Sequence, residues 1–197
     1  MDYSAALQHL TRDPKLARVM QTVGQCNIGA GGDPFQSLVR AIIYQQLAGK
    51  AAATIYGRFV NLYGKFPEPS GILRSDDSAL RSCGLSARKI QYIKDLATRV
   101  DENRLDLKSL ASLVDEQIID QLTAVKGIGR WTSEMFLIFC LGRPDVLPVQ
   151  DLGLRKGIQK TYRLRKLPTL EKINKIAEPW RPYRSVATWY MWRSLEL

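Results

Sequence analysis

The 197-residue chain is poor in histidine and cysteine, with one His (His9) and three Cys (Cys26, Cys83 and Cys140). The cysteines are odd in number, widely spaced and form no CxxC. That disfavours a disulfide framework and leaves no ligand set for a zinc finger or an iron–sulfur cluster. With a single histidine, a Ser-His-Asp triad or multi-histidine metal site would have to be built around His9. Its segment, AALQHL, reads instead as an ordinary amphipathic helix. Long hydrophobic runs are also missing. All are broken well short of the roughly 18 residues that a membrane helix needs. The start, MDYSAALQHLTRDPKL, has neither the basic region nor the apolar region of a secretory leader. A cytosolic or nuclear protein without membrane contact is the expectation. No stretch alternates with period two, so no sheet is expected, and no low-complexity segment or internal repeat is found.

Positive charge and apolar residues are abundant. Lys and Arg number 29 against 19 Asp and Glu, a net +10. Such an excess favours a polyanionic partner, most often nucleic acid. At 45% hydrophobic and 24% charged residues, the composition is globular and sufficient for a buried core.

The patterning predicts helices almost throughout. In PFQSLVRAIIYQQ (34–46), Phe35, Leu38, Val39, Ile42 and Ile43 fall on one stripe. Asp33 is placed to cap it, Pro34 to open it and Gly49 to end it. KAAATIYGRFVNLYG runs to Gly64, after which KFPEPSG is a loop. Ser75 is the expected cap of SDDSALRSCG, which Gly84 closes. Ile90, Ile93, Leu96 and Val100 share a face of LSARKIQYIKDLATRV. Asp115 is the expected cap of EQIIDQLTAV, RWTSEMFLIFCLG follows KGIG, and RPDVLPVQD is a proline-punctuated loop. LGLRKGIQKTYRL and SVATWYMWRSL are further helices.

The sharpest signal is LTAVKGIGRWTSEM (122–135). Two helical segments flank the turn Lys126-Gly127-Ile128-Gly129. Gly127 and Gly129 permit backbone conformations and close approaches denied to other residues. The helix that follows presents its first amides and partial positive charge outward, which suits a phosphate oxygen. Lys126 and Arg130 add charge beside it, and Ile128 packs inward. A tight helix corner is the alternative for GxG alone; the fuller pattern in a +10 chain favours phosphate binding.

This segment resembles the helix-hairpin-helix motif. With the downstream residues, GIGRWTSEMFLIFCLGRPDVLPVQDLG resembles the signature of the helix-hairpin-helix DNA glycosylase superfamily, and in particular its 3-methyladenine DNA glycosylase II branch. DPFQSLVRAIIYQQLAGKAA, GLSARKIQYIKDLA and AEPWRPYRSVATWYMW add to the likeness, which spans most of residues 33–193. About thirty residues precede Asp33, so the chain looks like a compact form without the N-terminal β-domain of longer relatives.

The resemblance implies an all-α fold of two helical subdomains with an active-site cleft between them. One would be a helical barrel over 33–142 carrying the hairpin (about 115–141). The other would be formed by 1–32 with 143–197. It also implies roles for residues. Asp151 stands where the family places its catalytic aspartate. It is equally suited to capping the helix that follows, and the two roles are compatible. Asp145 is the rival carboxylate and reads as a turn residue. Many relatives carry an acid immediately before the catalytic one; here it is Gln150, leaving one carboxylate. In bifunctional relatives the position of Trp131 holds a lysine that forms a Schiff base, so a monofunctional enzyme without lyase activity is implied.

Trp131, Met135, Trp180 and Tyr183 are the candidate walls of a base pocket. Met135 stands where some relatives have an aromatic residue, and core packing is the alternative for each of the aromatic candidates. A base inside a duplex must be flipped out before it can be reached. Leu47 is the natural wedge for the vacated space, with continuation of the apolar stripe as its other reading. Gln46 is placed to hydrogen-bond the orphaned base, and Gln45 to serve the fold. The hairpin residues Lys126, Gly127, Gly129 and Arg130 would hold the DNA backbone. Lys50, Arg155, Lys156 and Arg184 are further candidate neutralisers of phosphate. No cofactor is expected for catalysis, and neither zinc nor an iron–sulfur cluster. A structural sodium or potassium ion on the carbonyls of Thr123, Val125 and Ile128 is implied.

The resulting expectation is a monomeric glycosylase acting on alkylated purines, of the 3-methyladenine and 7-methylguanine type, flipped from double-stranded DNA. A related enzyme for hypoxanthine, ethenoadenine or an oxidised base, and a catalytically silent DNA-damage binding protein, are the alternatives.

Overall fold

A computed structural model describes residues 3–197. Among these, twelve α-helices and three short 3-10 turns form the fold, and no strand occurs. The helices are α1 (Ser4–Leu10), α2 (Pro14–Val23), α3 (Pro34–Tyr44), α4 (Gly49–Tyr63), α5 (Pro69–Leu73) and α6 (Asp77–Ser82), then α7 (Ala87–Asp101), α8 (Asp115–Thr123), α9 (Arg130–Phe139), α10 (Leu152–Thr161), α11 (Leu170–Ala177) and α12 (Arg184–Arg193). None of the described helices is long and apolar enough to cross a membrane.

The chain forms two compact units. One is Gly32–Phe136; the other joins the residues through Gly31 to Leu137–Leu197. The second boundary therefore falls inside α9 rather than at residue 142. A helix can cross such a boundary unbroken because its backbone bonds are local.

In the unit Gly32–Phe136, α7 is the central element and packs against α3, α5 and α6. Ser86 caps it by accepting the Lys89 N–H at 3.3 Å, and Ile90, Ile93, Leu96 and Ala97 are buried along one face. Helix α3 is opened by Asp33, which accepts the Gln36 N–H at 2.7 Å, with Pro34 in the first turn. Its buried stripe is Phe35, Leu38, Val39, Ile42 and Ile43, each contributing about 1.5–3 kcal/mol if fully buried. The helix stops at Tyr44, earlier than expected. Gln46 takes φ 56°, and Gly49 begins α4 instead of ending α3. Two expected caps are also displaced by one residue. Asp76, not Ser75, precedes α6, because the Ser75 hydroxyl is engaged by the Gly71 carbonyl at 2.9 Å and Tyr63 Oη at 2.7 Å. Val114, not Asp115, precedes α8 and donates its N–H to Gln117 Oε1 at 3.4 Å.

In the other unit, α12 is the central element and packs against α2 and α10. Ser185 through Met191 are all buried, as expected of a helix enclosed by others. The contact with α10 is very close. A Cβ on Gly157 would lie 2.2 Å from the Met191 carbonyl oxygen, so only glycine fits there.

Candidate active site and nucleic-acid interface

The hairpin joins α8 to α9. Val125 and Ile128 are buried, and the Ile128 N–H closes the turn on the Val125 carbonyl at 3.1 Å. Gly127 has φ +82°, and a Cβ there would lie 2.0 Å from the Tyr92 ring. Glycine is thus required twice, for conformation and for space. Gly129 differs from the expectation. Its φ is not positive, and nothing lies within 4 Å of where a Cβ would stand. Its missing side chain leaves the backbone open at the start of α9.

The turn is braced from two directions. Gln45 Nε2 donates to the Gly127 carbonyl at 2.8 Å. Asp95 Oδ2 accepts the Lys126 N–H at 2.9 Å and Arg99 Nε at 3.0 Å. Partial burial works to raise the Asp95 pKa. The Lys126 and Arg99 hydrogen bonds outweigh it and hold the carboxyl below its usual range. Lys126 is exposed. Arg130 is not available in the way expected, because its guanidinium is bound to Glu116 at 2.5 and 3.0 Å and to Glu134 at 3.2 Å. Those carboxylates oppose its charge, so the positive charge beside the turn comes from Lys126 and the helix terminus.

The loop after α3 carries Leu47, the residue expected as a wedge. Leu47 is 40% exposed, and Gln46 is exposed in its left-handed conformation. Lys89 fixes this loop from below. Its ammonium donates to the Ile43 carbonyl at 2.7 Å and the Gln45 carbonyl at 2.8 Å, and burial pulls its pKa down. Lys89, Tyr92 and Asp95 recur every third residue of α7, so one helix supports both the wedge loop and the hairpin. Sequence reasoning missed all three, because their roles depend on partners distant in the chain. The gap between an apolar stripe and a second set of evenly spaced polar residues was the available signal.

The candidate pocket residues separate. Trp131, in the first turn of α9, is 48% exposed, and Met135 is half-buried. Tyr183 is half-buried, with its ring edge-on to His9 at 5.6 Å between centroids. Trp180 is 0% exposed and presents no face on which a base could stack. Its Nε1–H points to Asp13 Oδ2 at 3.4 Å, and the Tyr162 hydroxyl donates to the same oxygen. Trp180 is a core residue.

The two rival carboxylates are now distinct. Asp145 accepts Arg181 at 2.9 Å and Arg184 at 2.7 and 2.9 Å. It is a tie between two loops, and Arg184 is spent on it rather than open to phosphate. Asp151 caps α10 by accepting the Leu154 N–H on Oδ1 at 2.6 Å. Trp192 Nε1 donates to the same oxygen at 2.7 Å. The carboxylate is half-buried, at the positive end of a ten-residue helix. This combination holds a negative charge in one orientation at a surface that a ligand can reach. The three cysteines are buried thiols, and no group of three or more His, Cys, Asp or Glu among the described residues is arranged to hold a metal.

The profile of the HhH-GPD superfamily of base excision DNA repair proteins matches residues 39–182. DNA-3-methyladenine glycosylase 1 of Schizosaccharomyces pombe is 42% identical over 168 residues, covering 84% of this chain and 74% of the relative. The solved structure of a 3-methyladenine DNA glycosylase from the same yeast, in complex with abasic DNA, superposes with a TM-score of 0.88 at 38% identity, covering 98% of both chains. A DNA-3-methyladenine glycosidase of Bacillus halodurans superposes with a TM-score of 0.85 at 39% identity, covering 94% of this chain and 86% of its own.

Proposed function

We propose that this chain, which belongs to the HhH-GPD superfamily of base excision DNA repair proteins, is a monofunctional glycosylase that hydrolyses the N-glycosidic bond of alkylated purines in duplex DNA. The observation that carries the reading is Asp151, one carboxylate held by two N–H donors at a helix start. The names of the yeast and bacterial relatives support the substrate class, and the abasic-DNA complex of the yeast relative supports the partner.

The chemistry follows from the residues present. An alkylated purine such as 3-methyladenine carries a positive charge while bonded to the sugar. As the C1′–N bond breaks, its electron pair leaves with the base and neutralises it. The deoxyribose becomes oxocarbenium-like. The Asp151 carboxylate stabilises that cation and orients the water whose oxygen adds to C1′. The added water gives its proton to bulk water, and an abasic site and the neutral free base remain. A leaving group that departs neutral needs no strong general acid, so one carboxylate suffices. Trp131 occupies the position where a Schiff-base lysine would stand. Its exposed ring can take a cationic base by stacking and cation–π attraction, at about 0.5–2 kcal/mol. Leu47 fills the space left by the flipped nucleotide, Gln46 bonds its former partner, and the hairpin with Lys126 holds the backbone. The protein acts as a monomer, in whichever compartment holds the genome.

A sodium or potassium ion fits the hairpin carbonyls of Thr123, Val125 and Ile128. Thr123 is the last residue of α8, where helical carbonyls lack intrahelical partners, and Val125 lies in the turn just beyond. The Val125 oxygen accepts only the Ile128 N–H among the turn bonds and keeps a second lone pair. When bound, such an ion supplies positive charge beside a phosphate.

The test is release of free base from methylated duplex DNA, with borohydride trapping run beside it. Release of 3-methyladenine or 7-methylguanine without a trapped adduct is the expected result. Binding without release of any base would make the chain a damage-binding protein, and an efficient adduct would refute the assignment of Trp131.

A further inference from the structure

We propose that Trp192 is the positioning residue of the Asp151 carboxylate, and that Gly153 is the residue that admits it. The proposal rests on the glycosylase reading above. Two N–H donors converge on one oxygen: the Leu154 amide at 2.6 Å and Trp192 Nε1 at 2.7 Å. The first comes from the helix that Asp151 caps. The second comes from the end of α12, far away in sequence. A single cap bond leaves a carboxylate able to turn about its own axis. A second bond from a different element removes that freedom, because turning breaks both. Each is a charge-assisted bond, stronger than a neutral one.

The indole is itself fixed. Phe139 stacks on it at 5.9 Å between centroids and 22° between planes. A Cβ at position 153 would stand 2.9 Å from Trp192 Cδ1 and 3.0 Å from Asp151 Oδ1. Gly153 is therefore the opening through which the indole reaches the carboxylate. Gly157, one turn on, lets the Met191 backbone press against α10 and sets how far Trp192 extends along it. Two glycines spaced by four on α10 thus bring the donor to the acid. An N-cap role alone needs only the Leu154 amide and explains neither the second donor nor the glycine at 153.

The test uses single-turnover base release from methylated duplex DNA, with affinity for an abasic duplex measured in parallel. W192F keeps a ring to stack on Phe139 and removes the N–H. Its maximal rate is expected to fall about ten- to a hundredfold, the effect of losing one hydrogen bond to a charged group, with abasic-DNA affinity unchanged within about twofold. G153A keeps both functional side chains and displaces the indole. It should lower the rate to a similar degree, and it decides the matter if W192F does not fold. A full rate in either folded variant overturns the role. So does an equal loss of rate and affinity, which marks a merely structural contribution. An inactive unsubstituted chain would sink the glycosylase reading itself, which an active chain with active W192F would leave standing.

Discussion

Gly127 carries a constraint that Gly129 lacks. Alanine at 127 must adopt a left-handed conformation and displace the Tyr92 ring. G127A should cost about 1–3 kcal/mol, read as a lower thermal midpoint, with DNA affinity falling as the turn shifts. Alanine at 129 meets nothing within 4 Å. G129A should melt like the unsubstituted protein, yet bind DNA more weakly, because a methyl group now stands where the phosphate backbone approaches. Equal stability of the two variants would refute the distinction. A sequence reader sees two equivalent glycines in GxG, since the ring that separates them comes from another helix. The same blindness applies to Arg130 and Trp180. A basic residue beside a turn and an aromatic residue in a motif segment look functional until Glu116, Glu134 and Asp13 are seen to engage them. The capping role of Asp151 was legible because capping chemistry is local. Trp192 was not, because its partner is contributed by α10.

Helix α7 is a strut as well as a core element. Its apolar face holds the unit together, and Lys89, Tyr92 and Asp95 support the two segments assigned to DNA. K89M removes the donor that holds the Ile43 and Gln45 carbonyls. Loss of such a charge-assisted pair should cost about 1.5–3 kcal/mol while leaving the helical circular dichroism intact. Base release should fall with it, because Leu47 follows the fixed segment. Full activity in K89M would show that the loop holds its shape unaided. The helices themselves were readable from apolar spacing, and the starts at Asp33 and Asp151 from their capping residues. The displaced boundaries at Tyr44, Asp76 and Val114 have tertiary causes or near-equivalent neighbours. Lys89 holds the carbonyls where α3 ends, Tyr63 engages the Ser75 hydroxyl, and Gln117 reaches back to Val114.

The net charge of +10 is an invitation to polyanions, and its deployment is selective. Arg130, Arg181 and Arg184 face carboxylates, whereas Lys126 is exposed beside the hairpin. DNA affinity should fall linearly on a log–log plot against salt, and K126A should flatten that slope by about 0.9, the share of one neutralised phosphate. An unchanged slope would remove Lys126 from the interface. The all-helical class was legible from periodicity and the absence of alternation, and the family from an ordered set of motifs. The unit boundary inside α9 was not, because a helix shows no break in sequence where its packing partners change.

The most direct trial is D151N, compared with the unsubstituted protein in single-turnover release of methylated purine. Asparagine preserves the size of the side chain and an oxygen for the Leu154 and Trp192 donors, but it carries no charge. The rate should fall by about 10²–10³, the usual scale for removing a transition-state charge partner, with abasic-duplex affinity and circular dichroism retained. Base release at the original rate by a folded D151N protein would contradict the account.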